Sequence, residues 1–253
     1  MNNAILLIAL LSLLTCIGCK MESNGELQNS YTAQLTFEPV VGTQPFVLNT
    51  SYTNAFNESY RVQKLLFYIS NIQLSQSATG AKEAQAESYH LVDMANESSK
   101  AINVPVTSNT YNTLTFTIGV DSVRNVSGAQ TGALDPLNGM FWTWNSGYIM
   151  AKLEGTSPAS TAANNGITHH IGGYKVANSA IRTLTIPLPN GALNTRAGGT
   201  TVLHLKVDVH KWFSGVHNLP IATVNNLMST GTTAMQLADN YASMISLTSV
   251  ENK

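Results

Sequence analysis

Charge is scarce in this 253-residue chain: Asp, Glu, Lys and Arg make up 11% of it, against roughly 25% in an ordinary soluble domain. Thirteen basic and 14 acidic side chains leave a net charge of −1, so there is no basic stripe to meet a phosphate backbone, which excludes nucleic acid as a partner. Thiols are scarcer still. The only two cysteines, Cys16 and Cys19, fall within the first twenty residues, so the remainder has no intramolecular disulfide and must fold by its core alone. HExxH, GxSxG, phosphate-loop and dinucleotide fingerprints are all absent, as is a nucleophile, base and orienter triplet at usable spacing. We therefore expect a binding protein and not an enzyme.

One apolar run stands out, Ile5 to Leu14, about ten residues long and so too short to span a bilayer, but suited to the core of a signal peptide. The residues before it, Met1-Asn2-Asn3, carry no Lys or Arg. The run leads into Thr15-Cys16-Ile17-Gly18-Cys19. A small Gly directly before a Cys is what a bacterial lipoprotein signal peptidase accepts, which favours Cys19 over Cys16, preceded by Thr. The expectation is a lipoprotein signal over residues 1–19 with lipidated Cys19, a polar tether over 20–30 and a folded domain over 31–253, held to a membrane by acyl chains. The alternative is a secretory signal cleaved without lipidation. The roughly 235 residues left can bury a large core without staples.

Segments rich in β-branched and aromatic residues follow one another: Tyr31 to Phe37, Arg61 to Gln76, Tyr89 to Asp93, Tyr111 to Val120, Gly147 to Glu154, Ile181 to Leu188 and Thr201 to Phe213. Within Tyr111 to Val120, Leu114, Phe116, Ile118 and Val120 alternate with Thr113, Thr115 and Thr117, the mark of a half-buried strand. Helical spacing recurs only between Thr233 and Leu247, through Met235, Ala238, Tyr241, Ala242 and Ile245. Gln76 to Ser88 and Gly155 to Gly166 read as surface loops. The fold class expected is all-β, a single β-sandwich-like domain with a small C-terminal helix.

Strand alternation places His204, Lys206, Asp208 and His210 on one face, with Trp212 continuing the same parity. Neighbours two apart on a face are about 7 Å from each other, so Asp208 could hold one imidazole nitrogen of His210 and leave the other for a metal. His204 and His210, roughly 20 Å apart, could not share an ion. The same residues also make an ordinary solvated face. At His169-His170, adjacent strand residues face opposite ways, so at most one enters a given site, and Gly172-Gly173 permits a turn or a close backbone approach. Trp142 and Trp144, spaced by two, can share a face, either as core or as a lid. An intact indole is a donor only and a poor metal ligand.

The blocks LLFYISNIQL (Leu65 to Leu74), HLVDM (His90 to Met94), FTIGVDSVRNVSGAQTGALDPLNGMFWTWNSGYIMAKLEG (Phe116 to Gly155) and HIGGY (His170 to Tyr174) resemble the MbnP-like family of copper-associated exported proteins, in its Bacteroidota lipoprotein form. The resemblance covers most of residues 31 to 215. It implies a β-sandwich protein of the bacterial envelope, outer-membrane anchored, that holds copper with two histidines and a tryptophan oxidised to kynurenine. It also implies a dihaem partner of the MauG type that performs the oxidation. Carried over, the W-x-W-x-x-G-Y block supplies Trp142 and Trp144, and the H-[IL]-G block supplies His170. The family blocks do not supply the second imidazole; His204 or His210 could take its place in space, and His210, with Asp208 as supporting carboxylate, is the one expected. Where proteobacterial members commonly carry an Asn-His pair shortly after the Gly-Val dipeptide, this chain has Asn125-Val126.

Overall fold

The computed structural model describes residues 31–253 except 86, 109, 129, 143–146, 190–192 and 194–197. Cys19, the 20–30 tether and Trp144 lie outside the described residues. Strands dominate and pack as two sheets. In the smaller sheet Tyr31–Val41 runs parallel to Thr200–Asp208, which pairs antiparallel with Ile245–Asn252; Ala101–Val106 and Gln44–Pro45 share the other side of Tyr31–Val41. The larger sheet runs Arg182–Pro187, Thr113–Ile118, Ser59–Ser75, Gly147–Thr156, Gly166–Gly172, Asn226–Ser229. Tyr89–Asp93 pairs with the middle of Ser59–Ser75.

The alternation in the sequence decides what faces inward. Leu114, Phe116, Ile118 and Val120 are buried, while Thr115 and Thr117 meet Thr185 and Thr183 across the strand pair, each at 3.3 Å. Phe37 of the smaller sheet meets Phe67 and Phe116 of the larger edge-on, at centroid distances of 5.9 and 6.3 Å. Edge-on aromatic pairs add about 0.5–1.5 kcal/mol each beyond the area they bury, and these bind the two sheets together. Ser59–Ser75 is 17 residues long and bends where its register shifts between Ser70 and Gln73. Asn71 takes φ 52° there, a left-handed conformation that Asn tolerates better than most residues.

Three expectations are corrected. The strand expected over Thr201 to Phe213 stops at Asp208, because Asp208 Oδ1 accepts the backbone N–H groups of Gly42 and His210, both at 3.2 Å, and turns the chain into the short Lys211–Ser214 helix. Trp212 is therefore a helical residue, fully buried, and not a neighbour of His204 on an outer face. The C-terminal helix is Thr232–Met244, and its buried side is Ala234, Leu237, Ala238, Tyr241 and Met244. Met235 and Ala242 are only half-buried, and Ile245 already opens a strand. Finally, Gln76 to Ser88 contains the short strand Lys82–Ala84, and Gly155 and Thr156 belong to Gly147–Thr156.

Candidate functional site

The described parts of the long polar and aromatic block between Thr113–Ile118 and Gly147–Thr156 fold back across the outer face of the larger sheet and are held there by hydrogen bonds. Asp121 Oδ1 caps Ser122–Asn125 through the Arg124 N–H at 3.1 Å, and its other oxygen receives the Tyr89 hydroxyl. Asn125 is buried, donates to the Val120 and Asp121 carbonyls and accepts the Tyr148 N–H at 2.8 Å. Further along, the Tyr68 and Tyr148 hydroxyls donate to the Ala133 and Leu134 carbonyls at 3.1 and 2.8 Å. These bonds deliver Phe141–Trp142 to pair with Gly147 and Tyr148.

Trp142 is 4% exposed, and its ring lies directly on Gly172. A Cβ built at residue 172 would meet Cζ3 of the indole at 2.3 Å and Cη2 at 2.7 Å, so only glycine admits the ring. Gly173 then takes φ +127°, a conformation costly for any other residue. Trp142, Gly147, Tyr148 and Tyr174 help to line a cleft of about 200 Å³ beside it.

His170 precedes Gly172 by two in the same strand and so shares the face on which the indole lies. Its Nε2 meets Glu154 Oε1 at 2.9 Å, while Lys64 meets the other carboxylate oxygen at 2.9 Å. Burial works to raise the Glu154 carboxyl, but the Lys64 and His170 hydrogen bonds prevail and hold it below the usual carboxylate range. A carboxylate accepts from an N–H, which fixes the proton on Nε2 and leaves the Nδ1 lone pair available. Lys152, opposite His170 in register, is buried and donates to the Gly139 carbonyl. Burial lowers both the Lys152 ammonium and the His170 imidazole, the latter with Lys152 and Lys64 adding to the effect.

The other five histidines are elsewhere. His169, 1% exposed, faces inward: its Nε2 donates to the Val224 carbonyl at 2.8 Å and its Nδ1 accepts the Trp212 indole N–H at 2.9 Å. Because His169 faces the helix that follows His210, His170 faces away from it, and the alternation separates His170 from His210. Asp208 holds the backbone of His210, not its ring, and the buried Nδ1 of His210 has no hydrogen-bond partner among the described residues. His204 lies between Glu38 and Glu251, at 2.6 and 3.6 Å. His217 shares Asp239 with Arg182, at 2.9 and 2.7 Å. His90 has a buried Nε2 without a partner among the described residues, and burial lowers its pKa.

Of the residues singled out from the sequence, then, Trp142 and His170 come to one face; His210 and Asp208 stand together at the end of another strand; Trp144 lies outside the described residues. Among the described residues no group of three His, Cys, Asp or Glu side chains could hold a metal ion. The Trp142 face offers a metal one oriented imidazole, His170, and an indole that has no lone pair to give while intact. Glu154 was not foreseen as the partner of His170. Its position sixteen residues upstream of a Gly-bounded His is informative only once the two strands are known to pair.

A sequence model of the MbnP family matches residues 30–230. Among solved structures, MbnP from Methylosinus trichosporium superposes with a TM-score of 0.54 at 13% identity, covering 88% of this chain and 99% of that one. No curated protein sequence matches the chain. Among the described residues no helix is long and apolar enough to cross a membrane.

Proposed function

Since the chain belongs to the MbnP family, we propose that it is an exported copper-binding protein whose centre is built on the outer face of Gly166–Gly172, around His170 and Trp142. The observation that carries this is the seat of the Trp142 ring on Gly172, on the face that also bears His170 with Glu154 on its Nε2. Imidazole suits copper in either oxidation state, and a carboxylate on the far nitrogen both orients the ring and raises its basicity toward a metal. Trp142 joins the ligand set after oxidation to kynurenine, which opens the indole and exposes an aniline nitrogen and a ketone. Bound there, copper would be stored or handed on, and in this reading the protein binds the metal without turning a substrate over. In this reading a dihaem partner of the MauG type performs the oxidation, and acylated Cys19 holds the domain to the outer membrane.

A second reading has one observation in its favour. Val126, 68% exposed, follows Asn125 where a histidine would add a ligand, which suits a sandwich that has kept the scaffold and lost the metal, with the Trp142 cleft as an aromatic contact surface. Metal analysis and peptide mass spectrometry of protein purified from its native host separate the two. Copper together with oxidised Trp142 supports the first, and a metal-free protein with intact Trp142 supports the second.

A further inference from the structure

The copper-binding reading leaves the Trp142 face one donor short, and the neighbouring strand supplies a candidate. Asn226–Ser229 runs parallel to Gly166–Gly172 with His169 opposite Leu227 and His170 opposite Met228. Residues paired across a parallel ladder share a face and lie about 4.8 Å apart. Leu227, like His169, turns inward and packs against the core; Met228 turns outward beside His170 and is 41% exposed. Thr230, next on the same parity, lines the cleft that Trp142 lines, so the row on which Met228 stands continues into the tryptophan's surroundings.

We propose that Met228 is a thioether ligand of the copper centre formed with His170 and Trp142, an inference that rests on the copper-binding reading above. The chemistry suits the place. Thioether sulfur is soft, selects copper(I), carries no proton to lose and, on an unbranched side chain with three rotatable bonds, can swing to an ion. It also adds no charge to a face where Lys64, Lys152 and Glu154 already sit together. Of the large hydrophobic side chains that are exposed among the described residues, Met228 alone carries a ligating atom.

The test uses the full chain, made with its own leader in its native host, and copper(I) alone as the probe, supplied anaerobically against a chromophoric chelator. Met228→Leu preserves volume and should weaken copper(I) about tenfold or more, the scale on which auxiliary groups at metal sites act. X-ray absorption of the copper-loaded protein should show a sulfur neighbour that Met228→Leu removes and Met228→His replaces by nitrogen with affinity regained. Copper bound with His170 dependence but with no sulfur neighbour, and unchanged affinity in Met228→Leu, would overturn the role of Met228 and leave the copper reading intact. Copper binding indifferent to His170→Ala would overturn both.

Discussion

The indole N–H of Trp212 donates to Nδ1 of His169 at 2.9 Å, the two rings 9° from coplanar, while Nε2 on the other side of the imidazole donates to Val224. Both nitrogens are thus committed, and the ring is a neutral Nε2–H tautomer locked between the larger sheet and the two C-terminal helices. The two histidines of the pair divide their work by strand alternation, one closing the core and the next facing the Trp142 side.

Burial pushes His169 down to about 4, whereas an imidazole in an unfolded chain titrates at about 6.5. The unfolded chain therefore takes up the proton first, and stability should be lost as pH falls from about 6.5 to about 4, by on the order of 3 kcal/mol from this group. Urea titrations across that window check it. His169→Leu should flatten most of the slope, leaving the shallower part due to His90 and His170, which burial also lowers. A slope unchanged in His169→Leu would contradict the assignment.

The Trp212 and His169 pair should couple. His169→Leu leaves a buried indole N–H without an acceptor, and Trp212→Phe leaves Nδ1 without a donor, each at a cost of about 1–3 kcal/mol beyond changes in packing. The double variant should be less destabilised than the two single effects added together, by about 0.5–3 kcal/mol. Strict additivity in denaturant unfolding would show that the hydrogen bond contributes nothing.

Gly172→Ala tests the seat of the indole. With Cζ3 of Trp142 at 2.3 Å from the new Cβ, the ring must move, and overpacking of this kind costs about 1–3 kcal/mol. Copper content should fall with it. A variant as stable as the parent and equally loaded would mean that the ring is not held on residue 172.

Much of the fold was legible where alternation was clean. Tyr89–Asp93 has the bounds its β-branched and aromatic residues suggest, and the Leu114, Phe116 and Ile118 face is buried as expected. Ala101–Val106 escaped notice because Pro105 breaks the strand signal, and the structure keeps it on an edge where a missing N–H is tolerated. Ile245–Asn252 was hidden because no Gly or Pro separates it from the preceding helix, so the apolar spacing ran on to Leu247. Strand alternation puts Trp212 on the wrong face, since Asp208 ends the strand before it. For the site, residue types and the Gly172-Gly173 signal were visible. That Trp142 covers Gly172, that Glu154 meets His170 and that His210 lies on the other side depend on which strands pair, which local periodicity does not encode.

Cys19→Ser should move the protein from the membrane fraction to the soluble envelope fraction, because the Gly18-Cys19 junction then offers no thiol to acylate. Fractionation with a high-salt wash checks it. Protein that stays with the membrane after the wash would exclude Cys19 as the anchor.

Copper content of the purified protein and of its His170→Ala and His210→Ala variants, measured alongside the oxidation state of Trp142 by peptide mass spectrometry, tests the central claim most directly. The parent and His210→Ala should carry copper together with kynurenine at residue 142, and His170→Ala should lose the metal while keeping the fold. Copper retained in His170→Ala but lost in His210→Ala would contradict the account and move the centre to the opposite side of the sheet.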